Sequence, residues 1–330
     1  MNLKNSLAGC DNLFNNSQNK IPLIVVCGPT ASGKTGLGIE LAKKYNGEVV
    51  SADSMQIYMG MDIATAKPTP QEMKGVTHNL ISYVQPTESY SVAQYVEEAH
   101  KVIKDIYNRG KTPILVGGTG LYINSLVNNI EFGKENSSDE IREQLYKKLE
   151  AQGAESLLQQ LAEFDPQSAQ RLGTANHRRL IRAIEIYLTT GKTMTQHIAE
   201  SKLIPTPYND VRIGLSCKDR ENLYNKINLR VDLMVEQGLL EEAENFRNQA
   251  YSNTAVKAIG YKELEPYFNG SLTLAQALEN LKRETRRYAK RQLTWFRRDE
   301  KINWILTDTM TKQQVLHNAV DIIDNSGVIK

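Results

Sequence analysis

No apolar stretch in this chain reaches the ~18 residues needed to cross a bilayer, which argues against membrane-spanning helices. The first residues also lack the charged-then-apolar layout of a signal peptide. Cysteine is scarce: Cys10, Cys27 and Cys217 are the three present, with no metal-ligand or redox spacing between them. That excludes a disulfide scaffold and a structural zinc site. Cys27 and Cys217 end apolar runs, so both are expected as buried thiols in a reducing, cytoplasmic setting. The five histidines show no ligand spacing, and there is no internal repeat. Charge of one sign is almost lacking overall, at net +2 over 330 residues, so total charge names no partner. Its distribution does: Lys282 to Arg298 holds eight basic residues against one glutamate, for +7.

What is present alternates. Apolar runs at Ile21–Cys27, Glu48–Ala52, Thr112–Val116, Val211–Cys217 and Ile302–Leu306 read as strands. The first three are β-branched and nearly continuous, as strands buried on both faces of a parallel sheet are. Helical patterns at Thr35–Tyr45 and Val92–Arg109 lie between them. The expected fold class is therefore α/β: an open parallel sheet flanked by helices, of the P-loop NTPase-like kind, with ligands along one strand edge. Residues 131–202 contain no convincing strand. Ile141, Leu145 and Leu149, then Leu157, Leu158 and Leu161, recur at helical spacing. Asn176 is placed to cap a helix carrying Leu180, Ile184 and Leu188. The expected organisation is an Asn-rich leader (1–20), a core made of 21–130 and 203–330, and a helical insertion domain (131–202). Lys202–Asp210, with Pro205 and Pro207, reads as the return linker.

Gly28-Pro29-Thr30-Ala31-Ser32-Gly33-Lys34-Thr35 matches G-x-x-x-x-G-K-[ST] between a strand and a helix, the context this phosphate loop requires. Small residues let successive amides turn toward an anion, and the helix N-terminus adds its positive end. Lys34 supplies a charge and the Thr35 hydroxyl can hold Mg²⁺. The loop alone leaves open whether the phosphate belongs to ATP or to another pyrophosphate. Many NTPases place an Asp at the end of an apolar strand to help hold the metal. Here Ile114-Leu115-Val116 runs instead into Gly117-Gly118-Thr119-Gly120. Asp53, ending the second strand, is the acid placed over the ligand edge, either to orient or deprotonate an acceptor or to cap a helix.

Taken together, these blocks resemble the tRNA dimethylallyltransferase (isopentenyltransferase) family. They are the phosphate loop, Ser51-Ala52-Asp53-Ser54-Met55-Gln56-Ile57-Tyr58, Thr65-Ala66-Lys67-Pro68 and Val116-Gly117-Gly118-Thr119-Gly120-Leu121-Tyr122. Asp219-Arg220, Arg230-Val231-Asp232, Ala258-Ile259-Gly260-Tyr261 and Arg287 to Phe296 continue the series in order. Ala64 stands where glycine is usual, Lys226 where arginine is frequent, and Thr77-His78-Asn79 replaces a usual His pair; none removes a group the chemistry needs. The resemblance implies transfer of a dimethylallyl group from dimethylallyl diphosphate to N6 of adenine at tRNA position 37. It implies that Gly28 to Thr35 and Arg220 grip the diphosphate, with Mg²⁺ at Thr35, while Asp53 acts as base and Thr119 as its hydrogen-bonding neighbour. It further implies that Asp53, Ser54, Met55, Gln56 and Thr119 meet the tRNA. In the insertion, His177, Arg178, Arg179, Leu180, Ile181 and Arg182 match the tRNA-contacting segment. Arg286, Arg287, Lys290 and Arg291 recur at four-residue spacing as a phosphate-facing stripe, with Trp295 and Phe296 turned inward. The expected partners are a tRNA anticodon stem-loop and the prenyl diphosphate, for a monomeric, cytoplasmic enzyme. The rival readings are a free-adenylate isopentenyltransferase, a small-molecule P-loop kinase and a non-catalytic RNA binder. The basic stretch and helical insertion disfavour the first, the Gly117–Tyr122 block the second, and intact Lys34, Thr35 and Asp53 the third.

Overall fold

The structure is a computed structural model that describes residues 20–130, 138–247, 251–252 and 254–329. Most of the Asn-rich leader, Cys10 and the first residues of the expected insertion (131–137) lie outside the described residues. The chain divides into two compact units, one of residues 1–127 and 207–330, the other of residues 128–206.

In the larger unit β1 (Ile21–Cys27) leads through the phosphate loop into α1 (Lys34–Lys44), and β2 (Gly47–Ser51) follows. Then come α2 (Pro70–Met73), β3 (His78–Asn79), α3 (Val92–Asn108), β4 (Thr112–Gly117) and α4 (Gly120–Val127). The smaller unit is helical among its described residues: α5 (Asp139–Phe164), α6 (Pro166–Leu172), α7 (His177–Thr190) and α8 (Met194–Leu203). The chain re-enters the larger unit with β5 (Tyr208–Ser216), α9 (Arg220–Glu236) and α10 (Leu239–Arg247). It finishes with α11 (Glu265–Phe268), α12 (Leu274–Phe296), β6 (Ile302–Leu306) and α13 (Lys312–Ser326).

All six strands lie in one sheet of order β3-β2-β4-β1-β5-β6, and every pairing is parallel. The period-two geometry of a strand sends alternate side chains to opposite faces. Ile24 and Val26 accordingly join a core with Leu37 and Leu41 of α1 and Ala319 and Ile323 of α13. Leu23 and Val25, equally inaccessible, point to the other face, where α3 packs on β2, β4 and α4. Tyr95 of α3 stacks on Tyr122 of α4 there, ring centres 4.0 Å apart. Each fully buried side chain of this size contributes about 1.5–3 kcal/mol, so this double coverage locks the register of β1. The chain leaves β1 first toward β4, β2 and β3, and later returns to its other side through β5 and β6. Such a reversal opens a crevice at the carboxyl ends of the strands, beside β1.

Two sequence expectations shift. The return linker ends earlier than Asp210, because β5 begins at Tyr208 and pairs with Ile21 onward. The two-residue β3, paired to Val49 and Val50, carries too short an apolar signal to be read as a strand. In the helical unit Asn176 caps α7 by accepting from the Arg179 amide. Leu145, Leu157, Leu161, Leu180, Ile181 and Ile184 form that unit's core. Gly153, at φ 76°, breaks α5 into two segments.

Candidate active site

The phosphate loop is shaped by three residues in the left-handed region: Gly28 (φ 140°), Ala31 (φ 62°) and Gly33 (φ 93°). Gly28 must lack a side chain, since a Cβ there would lie 2.4 Å from the Leu215 carbonyl oxygen of β5. Positive φ values interleaved along a loop turn its amides inward as an anion-binding nest. Ser32 lies within this loop, and its hydroxyl is buried with no hydrogen-bond partner among the described residues. Lys34 is half-buried and its Nζ donates to the Pro29 carbonyl at 2.6 Å, holding the ammonium over the loop. Burial, and then the Arg230 charge, push the Lys34 pKa down from 10.5 to about 8.

The loop forms one wall of a cavity of about 280 Å³. Thr30, Lys34 and Thr35 line one side; Asp53, Ser54, Met55 and Gln56 line another. Asp53 stands two residues past the end of β2, at the carboxyl edge of the sheet. Its Oδ1 accepts from the Met55 amide at 2.9 Å and the Gln56 amide at 3.4 Å, which closes a turn rather than capping a helix, since the next helix is α2 at Pro70. Oδ2 has no hydrogen bond among the described residues. The Asp53 carboxylate acts on the charge states of Lys34, Arg230 and Tyr288, so carboxylate, loop lysine and arginine share one field.

Thr119 stands behind this wall. Its amide donates to the Ala52 carbonyl at 3.1 Å. Its Oγ1 accepts from the Ser54 amide at 2.9 Å and donates to Ser54 Oγ at 3.3 Å. The glycines on either side of it have a steric cause. A Cβ at Gly117 would sit 2.1 Å from the Ala52 carbonyl oxygen, one at Gly118 2.2 Å from Gln292 Nε2, and one at Gly120 2.2 Å from the Trp295 ring. The strand end that carries an aspartate in many NTPases is here packed too tightly for any side chain.

Arg220 does not line the cavity; it is exposed at the first turn of α9, after the Asp219 cap. The arginine at the phosphate loop is Arg230, ten residues on, whose Nη1 donates to Thr30 Oγ1 at 3.2 Å. Its signal was an arginine on the inward stripe of α9, beside buried Ile227 and Val231. Gln292 was missed too. It is 5% exposed and sits on the inward stripe of α12 with Leu281, Ala289 and Phe296, where an uncharged polar residue signals a buried hydrogen-bonding task. His78 also lines the cavity, and burial lowers its pKa.

The basic stretch proves uneven. Arg286 is half-buried and bonded to Asn228 at 2.7 Å and Glu279 at 2.8 Å. The exposed cations of α12 and its end are Arg283, Arg287, Lys290, Arg291, Arg297 and Arg298, which follow one helical face. Arg291 also lines the cavity. Phe296 is buried and Trp295 half-buried. In the helical unit, the first turn of α7 exposes His177, Arg178 and Arg179. Leu180 and Ile181 are core residues at 0% and 3% exposure, so their side chains cannot meet an outside ligand. Arg182 is turned to the buried Glu185, at 2.9 Å, together with Arg142.

The family model described as IPP transferase matches residues 56–299. This chain belongs to that family. Among curated relatives, the tRNA dimethylallyltransferase of Caldanaerobacter subterraneus is 47% identical over 303 residues, covering 91% of this chain and 96% of that one. That of Bacillus subtilis is 49% identical over 286 residues, covering 86% and 90%. A solved tRNA isopentenylpyrophosphate transferase from Bacillus halodurans superposes with a TM-score of 0.70 at 42% identity, covering 93% of this chain and 97% of that one. A eukaryotic dimethylallyltransferase acting on tRNA gives 0.78 at 31% identity, covering 92% and 79%. The IPP transferase match begins after the phosphate loop and Asp53, so their assignment rests on the cavity itself. Among the described residues no cluster of three or more His, Cys, Asp or Glu could cage a metal, and no helix is long and apolar enough to cross a membrane.

Proposed function

We propose that this IPP transferase family member moves a dimethylallyl group from dimethylallyl diphosphate to N6 of an adenine in the tRNA anticodon loop, at position 37. The observation that carries the reading is one cavity lined by both Lys34 of an anion nest and Asp53. A kinase needs the first; an acceptor with a proton to lose needs the second. The allylic C–O bond breaks, a C–N6 bond forms, the N6 proton passes to Asp53 Oδ2, and diphosphate departs. Charge grows on the diphosphate as the bond stretches, and loop amides, Lys34 and Arg230 are aimed where it grows. Arg220 is assigned an outer contact with the same anion. An adenine amino group is a weak nucleophile, so removing its proton as the bond forms lowers the barrier.

The residues fit a metal that arrives with its diphosphate rather than one held by the protein alone. Magnesium characteristically takes one or two protein groups plus substrate phosphates, and Thr35 supplies a hydroxyl at the cavity wall. When bound it supplies positive charge to the leaving group.

The tRNA is assigned to Ser54, Met55 and Gln56 at the cavity, to the exposed stripe of α12, and to His177, Arg178 and Arg179 on the insertion domain (131–202). The target base leaves its stack to enter. The enzyme acts as a cytoplasmic monomer. Replacing Arg287, Lys290 and Arg291 by alanine is expected to lower the slope of log Kd for tRNA against log salt by about 2, at ~0.7 per lost phosphate contact. An unchanged slope would make the stripe a solvated surface only.

Incubation with labelled dimethylallyl diphosphate, offering unmodified tRNA and AMP in parallel, tests the whole reading. Label in tRNA alone is expected. Label in AMP would move the chain to free-nucleotide prenyl transfer, and label in neither would remove the reaction.

A further inference from the structure

Gln292 makes two hydrogen bonds that join segments far apart in sequence. Its Oε1 accepts from the Thr30 amide of the phosphate loop at 2.8 Å. Its Nε2 donates to the Gly118 carbonyl of the β4–α4 loop at 2.9 Å. Gly118 has no room for a side chain because the Gln292 amide occupies that place. One helical turn earlier, Tyr288 lines the cavity. Its phenol lies beside the side chains of Thr119 and Gln292. Thr119 in turn holds the Ser54 amide at 2.9 Å, next to Asp53. The hydrogen bonds thus run from Thr30 through Gln292 to Gly118, and from the next residue, Thr119, to Ser54, joining the anion nest to the acid wall with Tyr288 packed alongside. Tyr288 and Gln292 are spaced i, i+4 on α12, which puts both on one face.

We propose that Tyr288 and Gln292 are a positioning pair that sets the distance and angle between the diphosphate nest and Asp53. The inference rests on the prenyl-transfer reading above. In-line displacement tolerates little error between leaving group and attacking nitrogen, and a 1 Å misplacement costs on the order of a hundredfold. Neither residue needs to touch the reacting atoms. The Thr30 amide, satisfied by Gln292, is one the diphosphate does not have to bind. The remaining amides of the nest then face the anion with the loop already braced. Tyr288 is buried enough that its phenol is pushed well above its ordinary pKa of 10. It stays a neutral hydrogen-bonding group at every working pH, as a spacer must.

The test compares wild type, Tyr288→Phe and Gln292→Glu in label transfer to tRNA, with tRNA binding and thermal unfolding measured separately. Tyr288→Phe removes one oxygen and leaves the ring. It is expected to lower kcat about tenfold or more, while KM for dimethylallyl diphosphate, Kd for tRNA and the unfolding midpoint hardly move. Gln292→Glu keeps an acceptor for the Thr30 amide but sets a carboxylate against the Gly118 carbonyl. Its kcat is expected to fall further, and to recover relative to wild type as the pH drops and the protonated acid donates again. A merely structural role predicts no such recovery. Wild-type kcat in Tyr288→Phe, or losses in both variants that follow only the folded fraction or tRNA affinity, would overturn the pair. No transfer by wild type would remove the reaction and the pair together, whereas an active wild type with unaffected variants removes the pair alone.

Discussion

Replacing Asp53 by alanine is expected to slow prenyl transfer within the ternary complex by about a thousandfold, the middle of the range for a lost general base. The affinity for tRNA should change less than about twofold, since one buried-edge carboxylate adds little to a phosphate-driven association. Single-turnover transfer with both substrates pre-bound measures the first quantity, and filter binding the second. Alanine alone is ambiguous, because Asp53 Oδ1 also holds the Met55 and Gln56 amides and its loss frees that turn. Asp53→Asn separates the two effects. The asparagine carbonyl can keep both amide bonds, but the side chain cannot accept a proton. An asparagine variant as slow as alanine assigns the loss to proton transfer. One with wild-type turnover would remove Asp53 as base and leave it the loop cap.

Replacing Lys34 by alanine is expected to weaken the use of dimethylallyl diphosphate about a hundredfold in kcat/KM. A charged hydrogen bond to an ion is worth about 1.5–3 kcal/mol, and tenfold corresponds to about 1.4 kcal/mol. The pH dependence gives a sharper signature. The free lysine has a pKa depressed to about 8 by burial and then by Arg230. The diphosphate favours its charged form, so binding raises that pKa. Affinity for the donor is therefore full below about pH 8 and falls as the pH rises through it, by about tenfold per unit until the bound pKa is reached. Binding near pH 8 should also take up protons, which calorimetry in buffers of different ionisation enthalpy reads directly. Lys34→Ala should abolish both the slope above pH 8 and the uptake. A donor affinity flat from pH 7 to 9.5 in wild type would mean that Lys34 does not meet the diphosphate.

Much of this was written along the chain. The anion nest at Gly28–Thr35 is a local property: the left-handed residues, the lysine and the helix start lie within eight positions. Strands β1, β2, β4 and β5 were legible because burial on both faces leaves largely continuous apolar runs, and the edge strand β6 because Ile302, Trp304, Ile305 and Leu306 still cluster. The helices of the smaller unit were legible because burial on one face leaves a period near 3.6. Neither signal extends to side chains whose partners are remote in sequence. Gln292 and Thr30 are 262 positions apart, and Arg230 and Thr30 are 200 apart. Only its place on the inward stripe of α9 separates Arg230 at the cavity from Arg220 in solvent, and nothing local separates exposed Arg287 from Arg286 bonded to Asn228. Charge counts along α12 see only composition, whereas a face is chosen by what the opposite face packs against. Residue types, element order and the anion nest were thus determined by the sequence itself. Which arginine meets the loop, which cations remain exposed and what braces the nest against Asp53 were decided only by the tertiary structure, because hydrogen bonds and burial depend on distance in space rather than along the chain.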